Sequence, residues 1–343
     1  MRSLISILGL GALALLAGCG AGIDSGASVV NVYSHRHYDT DQELFDRFTA
    51  ETGIRVNVVT ASADELITRL ENEGVNSPAD ILITVDAGRL HRAKSKGLLQ
   101  PISSEVLEGN IPSALRDPEG YWFGLTKRAR ILVIDTSRVS ANELSSYEDL
   151  IDPRWRGRVL TRSSGNVYNQ SLLAALIASL GESEARSWAA GIVENMARQP
   201  SGSDTDQAKA VAAGVGDVAI VNSYYVARLK SSPDAEDRRI GERLGVIFPN
   251  QDGRGTHINV SGAGVTMSSK NLENAIQLLE FLSSEGAQRL FSEANFEYPV
   301  NPDVEPAALL REWGEFRADT LNLARLGELN ADAVKIFDRV GWR

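Results

Sequence analysis

Residues 29–59 read VVNVYSHRHYDTDQELFDRFTAETGIRVNVV, and this stretch decides the fold class. Val29–Ser34 is rich in β-branched residues, which is typical of a buried strand. Apolar side chains alternate again over residues 54–58, which predicts a second strand. Because a helical pattern separates the two runs, the stretch predicts a βαβ unit with parallel strands.

The predicted helix between these strands has a start signal, an apolar face and a stop signal. Thr40 and Glu43 match a capping box, in which Thr caps the helix and Glu reaches back to it. Gly53 suits the left-handed conformation that ends many helices. The apolar face consists of Leu44, Phe45 and Phe48.

The strand–helix alternation continues, and we expect an α/β protein of two lobes. Residues 122–134 and 245–265 have the pattern of extended crossings that would link the lobes as a hinge. Further units are predicted as helix 63–73, strand 79–85, helix 87–96, strand 158–161, helix 169–180, strand 217–221, a helix from 224 to 230, and C-terminal packing helices over 272–291, 306–321 and 331–340.

We assign one lobe to residues 29–128 plus 257–300. The other lobe comprises residues 129–256 plus 301–343, including the packing helices. The expected architecture is a bilobal clamshell with two parallel or mixed sheets.

The N-terminus has the pattern of a secretory signal. Residues 1–18 combine Arg2 with an apolar stretch, and Leu16-Ala17-Gly18-Cys19 resembles the lipoprotein signal in which the cysteine is lipidated. Residues 19–28 would then tether the folded body to a membrane. The alternative is an ordinary signal peptide with a chance cysteine.

Composition excludes several classes of function. The 343 residues carry 35 Lys plus Arg against 45 Asp plus Glu, and this net charge of −10 argues against nucleic-acid binding. The single cysteine excludes an intrachain disulfide and a cysteine-rich zinc site. No metalloprotease, nucleophile-elbow or P-loop motif occurs, so we expect a binding protein and not an enzyme.

Tyrosines follow three of the predicted strands. Tyr38 follows the first strand, Tyr168 follows strand 158–161, and Tyr224 and Tyr225 follow strand 217–221. Ligands of α/β proteins bind beyond the carboxyl ends of such strands. Each tyrosine alone would be ordinary packing, but the gathering of all four at these positions indicates a common ligand.

A hard trivalent cation is the ligand that converging phenols favour. Holding a phenolate at pH 7 costs about 4 kcal/mol without compensation, because the phenol pKa is about 10. Oxygen anions suit hard metals, and four phenolates around one Fe³⁺ leave a net charge of −1. Arg228, one helical turn beyond Tyr224, is a candidate partner for that charge.

The histidines fall into two groups. His37 adjoins Tyr38 and could supply a nitrogen ligand, with His35 as an alternative. His91 and His257 lie in a predicted helix and a predicted crossing, and we interpret them as structural.

The sequence resembles the periplasmic ferric-iron-binding proteins of ABC importers, and within them the Fut-type subgroup. The motifs that carry the resemblance are Asn31-Val32-Tyr33-Ser34-His35-Arg36-His37-Tyr38, Ser77-Pro78-Ala79-Asp80, residues 122–130 (WFGLTKRAR), Tyr168 and Tyr224-Tyr225.

The resemblance implies a transferrin-lobe-like clamshell that holds Fe(III) between its lobes as transported ligand, with no organic cofactor. By motif position it implies Tyr38, Tyr168, Tyr224 and Tyr225 as ligands, with His37 as a possible fifth. It implies a monomer in the periplasm that delivers iron to an ABC permease and its ATPase. Cys19 departs from the many soluble relatives by suggesting a lipid anchor.

Two alternatives remain open at this point. The chain could bind another solute, such as an organic anion held by Arg36, Lys127 and Arg130, or a different metal. Residues 127–130 (KRAR) are otherwise expected to form a solvated crossing strand, next to core residues Trp122 and Phe123. The glycines at 253, 255, 262 and 264 are expected to serve turns or the hinge.

Overall fold

A computed structural model describes residues 28–36 and 38–343. The predicted signal segment, the lipidated Cys19 and nearly all of the tether lie outside these residues, as does His37. No helix in the described part of the chain has the length and apolar character needed to cross a membrane.

The described residues form nine strands and fourteen α-helices. The strands are β1 (Val29–Ser34), β2 (Arg55–Thr60), β3 (Ile81–Val85), β4 (Phe123–Asp135), β5 (Val159–Leu160), β6 (Val218–Asn222), β7 (Leu244–Ile247), β8 (Ile258–Val265) and β9 (Tyr298–Pro299). The helices are α1 (Asp39–Thr52), α2 (Ala63–Glu73), α3 (Ala87–Ser95), α4 (Glu105–Asn110), α5 (Val167–Leu180), α6 (Glu182–Asn195), α7 (Asp204–Ala212), α8 (Ser223–Lys230), α9 (Ala235–Arg243), α10 (Leu272–Ser283), α11 (Glu285–Asn295), α12 (Ala308–Arg311), α13 (Ala324–Glu328) and α14 (Asn330–Val340).

The strands form a mixed sheet in the order β2-β1-β3-β8-β4-β6-β5, with β7 and β9 also paired to β4. The first three strands are parallel to one another, and so are β5 and β6. The strands β4 and β8 run antiparallel to their neighbours. The expected mixed α/β architecture is therefore confirmed.

The long strand β4 connects two groups of strands. Residues 123–129 pair with β8, whereas residues 130–135 pair with β6 and β7. This change of partner gives two half-sheets on one continuous strand, which is the bilobal arrangement expected from the two crossings. The exact residue ranges of the lobes stay a prediction.

The first βαβ unit forms as predicted except at the start of its helix. Strand β1 has its predicted bounds, and Gly53 ends α1 with a φ of 74°. The capping box at Thr40 is wrong, because α1 begins at Asp39 with Tyr38 as its N-cap. The Thr40 hydroxyl lies inside the helix and hydrogen-bonds the Asn295 side chain at 3.3 Å, so it does not cap.

The C-terminal predictions hold only in part. Helix 272–291 is interrupted, because Ser284 caps the start of α11. The predicted helix 306–321 is wrong, since only α12 forms there. Phe316 instead stacks on Phe248, with ring centroids 4.4 Å apart, and Ala318 bridges to Thr256. These tertiary contacts hold the segment extended.

The crossing over residues 245–265 divides into β7 and β8, with a turn between them. Trp122 and Phe123 are buried, as expected of core residues. Gly262 lies within β8, where a Cβ atom would come within 2.6 Å of the Phe123 carbonyl oxygen. Gly262 therefore allows β8 and β4 to approach each other closely, and it is not a turn or hinge residue.

Candidate metal centre

All four predicted tyrosines lie where a strand gives way to a helix. Tyr38 is the N-cap of α1, four residues after the end of β1. Tyr168 is the second residue of α5, which begins two residues earlier than predicted. Tyr224 and Tyr225 are the second and third residues of α8, which follows β6 directly.

The four side chains come together although they lie far apart in the chain. The rings of Tyr224 and Tyr225 have centroids 4.2 Å apart. Burial raises the pKa of the phenols of Tyr38, Tyr224 and Tyr225, and the nearby Tyr168 side chain raises the pKa of each of them further. Tyr168 is linked to Tyr38 through Glu297, which pairs with Arg128 over the Tyr168 ring and with Arg36 over the Tyr38 ring.

Two guanidinium groups lie over the Tyr38 ring. The Cζ atom of Arg36 is 4.9 Å from the ring centroid, and that of Arg228 is 5.1 Å away. Arg228 belongs to α8, whereas Tyr38 belongs to the first βαβ unit, so this contact joins two distant parts of the chain. The structure therefore places this predicted partner at the tyrosine cluster, facing Tyr38.

Three more guanidinium groups surround Tyr168. The Cζ atom of Arg128 is 5.4 Å from its ring centroid, and those of Arg130 and Arg162 are 5.8 Å away. Arg128 and Arg130 are only 2 % exposed, so the expected solvated strand is wrong. Because side chains alternate along a strand, both arginines project from β4 toward the tyrosines.

Buried carboxylates hold these arginines in place. Glu297 lies 2.9 Å from Arg36 and 3.5 Å from Arg128, and it is 2 % exposed. Asp41 contacts Arg36 at 3.0 Å, and Asp204 contacts Arg130 at 2.5 Å. These pairs fix the guanidinium planes beside the tyrosine rings.

The ion pairs also set the charge state of their members. Burial acts to raise the pKa of Glu297, but Arg36 and Arg128 outweigh it and lower the pKa overall. Burial acts to lower the pKa of Arg36, and the Asp41 and Glu297 carboxylates raise it instead. Glu297 also raises the pKa of Tyr38, second only to burial.

The cluster as a whole is short of negative charge when its phenols are neutral. Five arginines lie over the Tyr38 and Tyr168 rings. Three carboxylates pair with them, and these are Asp41, Asp204 and Glu297. Burial raises the pKa of Tyr38, Tyr224 and Tyr225 overall, and the nearby arginines oppose this effect only in part.

Sequence reasoning missed Glu297 and Asp204. Neither stands in a motif, and Glu297 is separated from Arg36 by 261 positions along the chain. Only a conserved or co-varying acidic position would have indicated them, and one sequence does not carry that signal.

Each described histidine has its own surroundings in the structure. Burial acts to raise the pKa of Asp64, but Arg92, then Arg89 and last His35 lower it overall, so His35 lies near that carboxyl. His91 packs against Gly327. His257 is buried near Arg130, Arg254 and Arg128, and burial, followed by these cations, lowers its pKa to about 3.

Phenol oxygens are the metal donors that this cluster offers. Across residues 28–36 and 38–343, no group of three or more His, Cys, Asp or Glu side chains could hold a metal ion. Hard cations accept phenolate oxygen, and the four tyrosines supply it at one place.

The three cations considered for an organic anion do not form one site. Arg36 and Arg130 are ion-paired to buried carboxylates. Thr126, which accepts a hydrogen bond from Arg36, and Arg128 project from the same face of β4. Lys127 lies between them in the chain and therefore projects from the opposite face. The predicted anion site built from these three cations is therefore wrong.

Known proteins are similar to this chain over most of its length. Residues 76–314 match the family described as bacterial extracellular solute-binding protein. The chain is 48 % identical over 336 residues to iron uptake protein A1 and 50 % identical over 316 residues to iron uptake protein A2, both of Synechocystis. These alignments cover 96 % and 92 % of this chain, and 93 % and 90 % of the relatives.

A solved structure is also similar throughout. The Trichodesmium protein FutA (IdiA), in complex with iron and citrate ligands, superposes with a TM-score of 0.90 at 53 % identity. The match covers 92 % of this chain and all of the Trichodesmium chain.

Proposed function

The chain belongs to the bacterial extracellular solute-binding protein family, and from that premise we propose that it captures ferric ion. The ligands would be the phenolates of Tyr38, Tyr168, Tyr224 and Tyr225. The observation that carries the proposal is the convergence of these four side chains from three strand ends.

The charge of the surroundings supports a trivalent ion. Four phenolates and Fe³⁺ carry a net charge of −1, which the arginines around Tyr38 and Tyr168 would balance. Soft metals would favour thiolate ligands, whereas ferric ion is hard and suits phenolate. The Synechocystis relatives are iron uptake proteins, and the Trichodesmium relative was solved with iron.

His37 is the candidate for a further ligand. It directly precedes Tyr38 in the chain, so a nitrogen from this position could reach an ion held by that phenolate. We propose it as a possible fifth ligand beside the four tyrosines.

The proposed cellular role follows from the family. The protein would bind iron in the periplasm and release it to an ABC permease driven by its ATPase, acting as a monomer without catalytic activity. Lipidation of Cys19 would keep it at the cell envelope.

The alternative is a different solute, either an organic anion or another metal. The arginines around Tyr168 are the observation in its favour, because guanidinium groups bind carboxylate and phosphate. Arg130 is already paired with Asp204, which leaves less positive charge for an anion. Calorimetry with organic anions, compared with ferric citrate, separates the two proposals.

Metal analysis combined with visible spectroscopy tests the proposal. We expect one iron per chain and a visible absorption band, because phenolate-to-Fe(III) charge transfer absorbs visible light. Tyr225→Phe should weaken binding and shift or bleach the band. Tyr121→Phe is the matched control, since Tyr121 lies beside Lys94 away from the cluster. Unaltered colour and affinity in Tyr225→Phe would contradict the ligand assignment.

A further inference from the structure

A second candidate site lies on the face of β4 that points away from the tyrosines. Lys127 is half-buried there, and desolvation lowers its pKa. No side chain in the described ranges, 28–36 and 38–343, forms an ion pair or hydrogen bond with its ammonium group. An anion bound in the cavity beside this ammonium would supply the missing opposite charge.

Tyr298 supplies a second unused polar group at the same place. It is the direct partner of Lys127 across the antiparallel β4–β9 pair, so the two side chains stand on one face. Tyr298 is 5 % exposed, and its hydroxyl is buried without a hydrogen-bond partner among the residues that the structure describes. Buried hydroxyl groups normally have such a partner.

Both side chains line one cavity of about 530 Å³. This volume lies in the usual range for small-molecule sites, roughly 300–1,000 Å³. Leu310 and Phe316 form part of its wall, and the wall thus combines apolar surface with the two unpaired polar groups. Such a combination is typical of sites for small organic ligands.

We infer that this cavity, between Lys127, Tyr298 and Phe316, is a binding site for a small organic monocarboxylate. The ligand's carboxylate would accept hydrogen bonds from the Lys127 ammonium and the Tyr298 hydroxyl. Its apolar part would lie against Leu310 and Phe316. The inference goes beyond iron binding and does not depend on it.

Two acidic side chains restrict the charge of the ligand. Glu305 and Glu315 line the cavity and are exposed, which places them on its solvent side. Neither is ion-paired with Lys127. Arg311 also lines the cavity and is exposed, but the Glu305 and Glu315 carboxylates outnumber it. The entrance would therefore repel a polyanion more strongly than a monoanion, so phosphate and tricarboxylates should bind less well.

The site is close to the tyrosine cluster but separate from it. Tyr298 belongs to a small apolar cluster that includes Ala227 of α8, the helix that carries Tyr224 and Tyr225. The β4 strand stands between the two sites, since Arg128 faces Tyr168 and Lys127 faces the cavity.

Calorimetric titration with benzoate tests the inference, because benzoate joins a carboxylate to an apolar ring. We expect saturable binding at one site. Benzamide, which has the same shape without charge, should bind about ten- to a hundredfold more weakly than benzoate. Benzoate should bind to the Lys127→Met variant more weakly than to the unmodified protein by the same factor. Lys127→Arg should retain binding, and inorganic phosphate should bind less tightly than benzoate.

Two controls keep the result interpretable. Tyr225→Phe should bind benzoate as the unmodified protein does, whatever its effect on iron. In protein with ¹³C-labelled lysine, benzoate should raise the pKa of Lys127, a readout that requires no variant.

The inference is overturned if benzoate does not bind or does not move the Lys127 titration. It is also overturned if Lys127→Met binds benzoate equally well, or if phosphate binds more tightly than benzoate.

Discussion

Tyr38 stands apart from the other three tyrosines because it comes from the first βαβ unit, where it caps α1. Its ring is flanked by Arg36 from the same unit and by Arg228 from α8. A guanidinium over a phenolate ring stabilises negative charge on that ring. Arg228 therefore connects the ionisation of Tyr38 to the helix that carries the Tyr224–Tyr225 pair.

Replacing Arg228 tests this connection. We expect Arg228→Gln to weaken ferric binding by about tenfold, the equivalent of a cation–π contact of 1–2 kcal/mol, while the visible band remains. The measurement is a competition titration against a ferric chelator. Arg239→Gln, which alters an exposed arginine of α9, should leave affinity unchanged. Equal affinities for both variants would contradict the role of Arg228.

Iron loading should release protons. Burial raises the pKa of Tyr38, Tyr224 and Tyr225, so these phenols are protonated at neutral pH before they bind metal. Each loses its proton on forming a phenolate ligand, and affinity should fall as pH falls. We expect release of at least about three protons per iron, measured in weakly buffered solution with the chelator's own protons subtracted. Release of fewer than two protons would argue against phenolate ligation.

His257 should make the protein less stable in acid. Its folded pKa is about 3, below the ordinary value of 6.5, so the unfolded chain binds the proton more readily between these values. Stability is therefore lost as pH falls below 6.5, by up to about 1.4 kcal/mol per pH unit. Denaturant unfolding at several pH values should show a shallower loss for His257→Asn. An unchanged slope would contradict the burial of a neutral imidazole.

At the residue scale, the sequence predicted the tyrosines but not their surroundings. Tyr38, Tyr168 and the Tyr224–Tyr225 pair are recognisable because each follows a strand, a local feature. Glu297 and Asp204 acquire their meaning only from arginines far away in the chain. The burial of Arg128 and Arg130 was missed for the same reason, since a cationic run in isolation favours a solvated strand.

At the scale of secondary-structure elements, Asp80 of the Ser77–Asp80 motif joins β1 to the start of α10. Its buried carboxylate accepts hydrogen bonds from the backbone and side chain of Asn31. It also accepts hydrogen bonds from the Ser269 hydroxyl, the Lys270 amide and both nitrogens of Asn271. One residue thus satisfies donors on two elements.

Asp80→Asn should be strongly destabilising although it preserves shape. The NH₂ group of the new amide would face N–H and O–H groups that now donate to the carboxylate. We expect a loss of about 2–4 kcal/mol in the free energy of unfolding. Denaturant unfolding measures the loss. Asp252→Asn, at an exposed turn position, is the matched control and should change stability by less than about 0.5 kcal/mol. Similar stability of both variants would contradict the proposed link.

Elements with local signals were predictable, and those fixed by distant contacts were not. Helix α2 has its predicted bounds, with Ser62 in a capping box. The segment after Pro306 has an apolar pattern that suits a helix, but Phe316 packs against Phe248 and draws the chain away from helical geometry. The antiparallel strand β8 likewise depends on pairing with β3 and β4, which no local pattern specifies.

At the scale of the whole molecule, β4 is the common element of both half-sheets and both candidate sites. Its residues 123–129 and 130–135 belong to different half-sheets, and the arginines at that junction face Tyr168. The Ser171 hydroxyl of α5 donates to Asp86, at the end of β3, at 2.7 Å. The half-sheets thus meet around the tyrosines, as enclosure of a small ion between them requires.

Diffraction from iron-loaded crystals, recorded at the iron absorption edge, tests the central claim most directly. We expect one strong anomalous peak per chain, within bonding distance of the phenol oxygens of Tyr38, Tyr168, Tyr224 and Tyr225. A peak at any other place would contradict the account. So would a peak in a closed form of the protein that contacts the tyrosines of only one half-sheet.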